Sequence, residues 1–221
     1  MIEALREFAD QEYLRFNSRL VHSAYPMMGV RIPDIRKLAV KMTKAEQEDF
    51  LSNPPVWYEE VLLFGLVLSR SEQVLDSFGK YLPYIDNWAT CDTVVLSFKK
   101  IQKHRNEFLA RFASLAEGTE FERRALVVAL LGFFLTEEHV DEAIDLALKA
   151  DDGRYYVSMA TAWLLATALI YFPSRVTAAL ESGRVREETF KRTVRKAIES
   201  YRITPDMKIR LRQMQALSRK K

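Results

Sequence analysis

The sequence contains few of the residues that interrupt or cross-link a chain. Its 221 residues include one cysteine, Cys91, together with seven glycines and seven prolines. A single cysteine excludes an intramolecular disulfide and a cysteine metal cluster, and it favours a reducing, cytoplasmic setting. The scarcity of glycine and proline leaves long stretches that can form helices.

Several functional signatures are also missing. The three histidines, His22, His104 and His139, are scattered without the spacing of metal ligands. The chain has no Gly-rich phosphate loop and no serine nucleophile motif. Residues 1–8 carry acids where a signal peptide needs an apolar core, and no uncharged run is long enough to cross a bilayer. We therefore expect a cytoplasmic protein without metal, cofactor, membrane contact or obligate protein partner.

Charge is distributed unevenly along the chain. The net charge is +3, but residues 184–221 contain 13 Lys or Arg against 4 Asp or Glu, a balance of +9, and the preceding residues have a balance of −6. A basic helical face of this kind suits a polyanion, for which phosphate contacts would supply affinity that is independent of sequence and sensitive to salt. The alternative is a solvated terminal helix pair that caps a stack.

Apolar residues recur with helical spacing along nearly the whole sequence, and strand signals are almost absent. Caps, prolines or acids precede several apolar runs, as at Pro33-Asp34 and Thr204-Pro205-Asp206. The predicted helices cover residues 2–17, 33–52 (with a break near Thr43), 55–70, 71–82, 86–103, 106–116, 119–134, 137–149, 153–171, 173–181, 185–201 and 205–218.

The helices are predicted to form one domain over residues 1–221, with a basic C-terminal helix pair over about 184–221. Long apolar helices that open with aromatic residues follow Trp57, Phe121 and Tyr155. Paired helices that recur at roughly 30 to 40 residues are typical of helical repeat proteins. We therefore predict an all-α fold, a right-handed curved solenoid of about six HEAT-like antiparallel helix pairs. A helical bundle is the alternative architecture.

Two residues near the middle of the chain form the first candidate site. Asp86 can cap a helix that begins close to Trp88, and Trp88 and Asp92 then lie four residues apart on one helical face. An aromatic ring beside a carboxylate suits a cationic ligand. Alternatively, Trp88 packs in the core and Asp92 is an exposed first-turn acid. Cys91, between them, is expected to pack as a small apolar residue.

Two residues further along the chain complete the candidate set. Arg124 follows Arg123, and Trp163 lies in the apolar run that begins at Tyr155. Considered alone, Trp163 could be a core aromatic, and Arg124 could be a surface partner of Glu120, four residues earlier. Trp57 is assigned to packing, because it opens a helix that is apolar nearly all round.

Four segments, in their order and spacing, resemble the AlkD-like DNA alkylation repair glycosylases. They are residues 25–38 (YPMMGVRIPDIRKL), 88–92 (WATCD), 123–125 (RRA) and 155–157 (YYV), the last leading to Trp163. The resemblance spans roughly residues 20 to 215. It implies a curved stack of HEAT-like repeats and a DNA glycosylase that removes N3- and N7-alkylated purines from duplex DNA without flipping the base into a pocket.

The resemblance also implies roles for individual residues. Trp88 and Trp163 would contact the lesion-bearing deoxyribose and backbone, Asp92 would be the catalytic aspartate, and Arg124 would lie near the DNA backbone. Leu164 and Leu165 follow Trp163 where family members have an arginine and an acid. Binding of DNA is therefore expected to involve other cations, namely Arg123, Lys99, Lys100, Lys103, Arg154, Lys191, Arg192, Arg195 and Lys196.

A function from a different class stays open at this point. The chain could be a non-catalytic HEAT-like adaptor that binds nucleic acid or protein on its concave face.

Overall fold

The computed structural model describes residues 1–218. Over that range the chain is all-α, with fourteen α-helices, three short 3-10 helices and no β-strand. The prediction of an all-helical fold is therefore confirmed, whereas six HEAT-like pairs in a single domain stay a prediction. Contacts between α-carbons group the chain into two compact units, Met1–His104 and the residues from Arg105 onward. Within residues 1–218, none of the helices combines the length and the apolar character that crossing a membrane would require.

The first unit contains helices α1 to α7 and two 3-10 helices. The α-helices are Ile2–Arg6 (α1), Gln11–Leu20 (α2), Ile32–Lys41 (α3), Lys44–Leu51 (α4), Tyr58–Leu68 (α5), Val74–Tyr81 (α6) and Trp88–Val95 (α7), and the 3-10 helices are Leu82–Tyr84 and Lys99–Lys103.

Side-chain caps explain where two of these helices begin. The predicted helix 2–17 is wrong as a single element, because Asp10 accepts hydrogen bonds from the backbone N–H groups of Glu12 and Tyr13, both 2.9 Å, and starts α2. The predicted break near Thr43 is confirmed. Thr43 and Glu46 form a reciprocal capping box that starts α4.

The predicted helix 86–103 is also too long, because its α-helical part ends at Val95. The hydroxyl of Ser97 donates to the carbonyl of Thr93 at 2.8 Å, and the guanidinium of Arg36 donates to the same carbonyl at 3.2 Å. Because the Thr93 carbonyl accepts these side-chain hydrogen bonds, they compete with continuation of the α-helix, and the backbone turns before the 3-10 helix begins.

Helix α5 is the centre of the first unit, since all of its residues are buried. A Cβ atom built on Gly65 would lie 2.4 Å from Val94 Cγ1 and 2.5 Å from Tyr81 Cε2. The glycine therefore lets α5 approach α6 and α7 closely. This contact fixes the depth at which α7, the helix of the candidate site, sits against the core.

The second unit contains helices α8 to α14 and one 3-10 helix. The α-helices are Arg105–Phe112 (α8), Glu120–Phe133 (α9), Val140–Ala150 (α10), Tyr155–Tyr171 (α11), Pro173–Glu181 (α12), Glu187–Glu199 (α13) and Pro205–Ser218 (α14), and the 3-10 helix is Ala113–Glu117.

Helix α11 is the centre of the second unit and packs against both α9 and α13. Its buried residues are Val157, Ser158, Ala160, Thr161, Ala162, Leu164, Leu165, Ala166, Ala168 and Leu169. Helix α10 begins at Val140 rather than at the predicted residue 137. The three preceding residues form a turn in which Thr136 Oγ1 lies 3.0 Å from His139 Nδ1.

Candidate nucleic-acid site

The candidate site in the first unit begins with the cap of α7. Asn87 is the N-cap, and its side-chain oxygen accepts from the backbone N–H groups of Ala89 and Thr90 at 2.9 and 3.0 Å. The predicted cap, Asp86, is one residue too early. Its carboxylate instead accepts from the Ser23 hydroxyl at 2.7 Å and the Ala24 N–H at 2.6 Å, so it joins α7 to the segment after α2.

Trp88 and Asp92 both lie in α7, one helical turn apart on the same face, as predicted. Trp88 is 36% exposed and Asp92 is half-buried, whereas Cys91 between them is fully buried against the core. The first-turn position considered for Asp92 is wrong, because it is the fifth residue of the helix. Neither Trp88 nor Asp92 is therefore sequestered in the core.

The Trp88 ring is held at one edge. Its indole Nε1 donates to the carbonyl of Leu20, the last residue of α2, at 3.3 Å. This carbonyl lies at the end of α2 and has no intrahelical partner, so the one hydrogen bond satisfies both the indole N–H and the carbonyl. The ring orientation thus depends on the position of the α2 end.

A buried carboxylate that sequence reasoning did not single out anchors the segment that follows α2. Glu59, fully buried in α5, accepts from the backbone N–H groups of Met28, Gly29 and Val30 at 2.9, 2.8 and 3.2 Å. Gly29 has a φ of +88° and lies against α2, a conformation and a space that suit only glycine. The position of Gly29 inside the 25–38 segment is the one signal in the sequence that this segment matters to the site.

Arg36 is a second contributor that sequence reasoning did not single out. Its guanidinium donates to the Thr93 carbonyl and, at 3.1 Å, to the Ser97 hydroxyl, so it closes the C-terminal end of α7. A cation is favourable there because the helix dipole places partial negative charge at this end. Helix α7 is therefore fixed at its start by the side chain of its own cap, Asn87, and at its end by Arg36 of α3.

In the second unit, Arg124 is buried, so the alternative that placed it at the surface is wrong. Its Nη1 donates to the carbonyl of Tyr156 at 2.5 Å, and Glu120 accepts from the Tyr156 N–H at 3.0 Å. Two side chains of α9 thus bind the backbone of the first turn of α11. Trp163, half-buried, lies seven residues beyond Tyr156, roughly 10 Å along the same side of α11.

The four principal residues are divided between the units. Trp88 and Asp92 belong to the first unit, and Arg124 and Trp163 to the second. A shared site made by all four stays a prediction.

Some of the cations predicted to bind DNA have structural partners. Arg123 donates to the carbonyls of Gly118 and Ala150 at 2.8 and 3.1 Å. The Arg154 guanidinium, 2.5 Å from the Asp152 carboxylate, holds the pKa of Asp152 below its ordinary value.

Lys100 is similarly engaged in the first unit. Its ammonium donates to the Arg70 carbonyl at 2.8 Å and to the Glu72 carboxylate at 2.7 Å. Lys99 and Lys103, on the same 3-10 helix, are exposed. These two therefore present their charge to solvent more fully than Lys100 does.

The cations of α13 differ in the same way. Lys191 lies 2.7 Å from Glu187 and 3.1 Å from Glu188. Arg192 donates to the Ser158 hydroxyl at 2.6 Å. Arg195 is exposed and Lys196 is half-buried.

A family model described as DNA alkylation repair enzyme matches residues 1–201. The chain belongs to this family. A comparison with curated proteins gave no match. The family membership agrees with the AlkD-like resemblance of the sequence and gives the chain a role in DNA repair. Helix α7 offers an accessible aromatic ring and a carboxylate on one face.

Proposed function

We propose that this DNA alkylation repair family member is a DNA glycosylase. It hydrolyses the N-glycosidic bond of cationic N3- and N7-alkylated purines in duplex DNA. The observation that carries the proposal is the placement of Trp88 and Asp92 on one accessible face of α7, a helix fixed at both ends by Asn87 and Arg36.

Cleavage of the glycosidic bond of a cationic purine suits a carboxylate and needs no general acid to protonate the leaving base. An N3- or N7-alkylated purine already carries positive charge, so it leaves with the electron pair of the C1′–N bond as a neutral base. The sugar develops oxocarbenium-like charge, which the Asp92 carboxylate stabilises while it positions the attacking water. The water oxygen bonds to C1′, and its proton passes to solvent.

The remaining residues of the set hold the nucleotide. Trp88 and Trp163 present ring faces to the cationic nucleotide and its deoxyribose, since an aromatic face attracts positive charge. Arg124 lies near the DNA backbone. The other cations of both units supply contacts to phosphates that do not depend on sequence.

The architecture we propose for this activity is the HEAT-like stack predicted from the sequence, in which short turns join antiparallel helices. The short connection between α11 and α12, where Phe172 separates Tyr171 from Pro173, supports such a pair. The buried and single thiol supports action in a reducing compartment, the cytoplasm.

The decisive experiment measures release of 3-methyladenine or 7-methylguanine from methylated duplex DNA. Asp92→Asn keeps the shape of the side chain and removes its charge, so we expect base release to fall by roughly two to three orders of magnitude while DNA affinity is retained. Asp49→Asn makes the same change at an exposed position of α4 and is the matched control. Trp88→Ala and Trp163→Ala should lower both affinity and rate.

Two outcomes would contradict the proposal. Equal rates for the wild-type protein and Asp92→Asn would remove Asp92 from the reaction. Binding of DNA by the wild-type protein without any base release would favour the adaptor function. Uracil and hypoxanthine should be released poorly, because neither base is cationic and the proposal assigns no group to protonate them.

A further inference from the structure

A chain of buried hydroxyl groups in the second unit leads from a buried carboxylate to an arginine at the surface. Asp151, buried after the end of α10, is bonded to the hydroxyl of Thr189 in α13. The Thr189 hydroxyl lies 2.7 Å from the hydroxyl of Ser158 in α11, and Ser158 Oγ lies 2.6 Å from Arg192 Nη1. Both hydroxyl-bearing residues are at most 1% exposed.

The chemistry of the two ends fixes the direction of every hydrogen bond. A guanidinium only donates, so the Ser158 oxygen accepts from Arg192. A carboxylate only accepts, so Thr189 donates its proton to Asp151. Ser158 must then donate to Thr189. The three hydrogen bonds point the same way, and chains of this kind strengthen one another in a low-dielectric interior.

The far end of the chain is partly open to solvent. Arg192 is half-buried, and its guanidinium carbon lies 5.1 Å from the ring centroid of Tyr155, which is 57% exposed. Within the described residues 1–218, the guanidinium makes only the Ser158 hydrogen bond and this ring contact. The rest of its five-donor fork is free for an anion, and the planar fork matches the geometry of a phosphate.

We infer that Asp151, Thr189 and Ser158 are positioning residues that hold Arg192 against Tyr155 as a binding group for one phosphodiester phosphate of DNA. This inference rests on the proposed function, because that function supplies the duplex. Pre-orientation matters here since a free arginine side chain would lose rotamer entropy on contacting the phosphate. The hydroxyl chain removes part of that loss before DNA arrives.

The test measures duplex affinity as a function of salt for variants that alter one hydroxyl. Arg192→Gln should weaken binding about 5- to 10-fold and reduce the slope of log affinity against log salt by about one, as expected for one lost phosphate contact. Thr189→Val, which replaces the hydroxyl by a methyl of similar shape, should weaken binding about 3-fold or more. Combined with Arg192→Gln, it should add nothing further.

Two control variants separate positioning from a general effect on folding. Thr189→Ser keeps the hydroxyl and should bind as the wild-type protein does. Thr177→Val removes another buried hydroxyl of the second unit, one that bonds to the Pro173 carbonyl at 2.9 Å, and should leave affinity and salt slope unchanged. Unfolding in urea should confirm that each variant is folded under the binding conditions.

The two proposals fail in different ways. Wild-type affinity and slope in Thr189→Val, together with a loss in Arg192→Gln, would overturn the positioning role and leave the proposed function intact. An equal loss in Thr189→Ser and Thr177→Val would also overturn it, because any disturbance of the buried hydroxyls would then suffice. A wild-type protein that binds no duplex at low salt would overturn both proposals.

Discussion

Glu59 illustrates how strongly a single residue can organise the surroundings of the candidate site. Its carboxylate is the common acceptor of three successive backbone N–H groups, so it neutralises their dipoles where water cannot reach. The segment that it holds runs back to the end of α2, whose last carbonyl receives the Trp88 indole. A buried charge distant in sequence therefore supports the orientation of Trp88.

Replacement of this carboxylate should be costly. Glu59→Gln places an amide N–H₂ opposite at least one of the three N–H donors, and we expect a loss of about 2–3 kcal/mol in the free energy of unfolding. Denaturation in urea measures it. Glu48→Gln, on the exposed surface of α4, should change the free energy of unfolding by about 0.5 kcal/mol or less. Equal midpoints for the two variants would contradict a structural role for Glu59.

Residue types and spacing predicted some features of the candidate site better than others. The shared helical face of Trp88 and Asp92 and the packing of Cys91 are confirmed, because both follow from spacing along one helix. The alternative that placed Arg124 at the surface is wrong, because the side chain is buried and donates to a backbone carbonyl of α11, a contact that no sequence pattern identifies. Glu59 and Arg36 were missed because their partners are also backbone groups distant in sequence, N–H groups for Glu59 and a carbonyl for Arg36.

At the scale of the element, α7 is a short helix that depends on its ends. Eight residues provide little intrinsic helical stability, so the Asn87 cap and the Arg36 contact contribute much of what holds it. Both proposed catalytic side chains of the first unit lie on this helix. Its order should therefore affect base release as well as folding.

Removal of the α7 cap tests this coupling. Asn87→Ala should lower the free energy of unfolding by about 1 kcal/mol, as is typical for a lost N-cap. Thr43→Ala removes the cap of α4 and should cost a similar amount. Base release should fall several-fold in Asn87→Ala and stay unchanged in Thr43→Ala. A parallel loss of activity in both variants would mean that general stability, rather than the order of α7, governs the rate.

Helix positions were predicted well where apolar periodicity is long, and poorly where a side chain ends or restarts the helix. The long helices α9 and α11 lie within or close to their predicted ranges. The errors at Asp10, Ser97 and His139 share one cause. In each case a polar side chain bonds to nearby groups and competes with continuation of the helix, which periodicity alone does not reveal.

At the scale of the whole molecule, the concentration of positive charge after residue 183 is partly offset by acids from other segments. Arg184 lies 2.7 Å from Asp145, and Arg210 lies 2.8 Å from Glu181. Both pairs are exposed, so each contributes little to stability but reduces the charge offered to a polyanion. The basic residues 219–221 lie outside the described part of the chain.

This partial pairing predicts the salt dependence of DNA binding. Cations such as Lys99, Lys103, Arg192, Arg195 and Lys196 would contact about five phosphates, which corresponds to a slope of about −4 to −5 for log affinity against log salt. Titration of a labelled duplex between about 50 and 200 mM salt measures this slope. Binding indifferent to salt would contradict the nucleic-acid interface, and a slope near −12 would mean that about thirteen cations take part.

The burial of Cys91 has a consequence for a protein that works on alkylated DNA. Methylating agents that damage purines also attack sulfur nucleophiles, and a thiol must be accessible to the agent in order to react. The only sulfhydryl of this chain lies on the inward side of α7, fully enclosed, one residue from Asp92. The enclosure of this thiol thereby protects the helix that bears the proposed catalytic carboxylate from alkylation by the same electrophiles whose damage the family repairs.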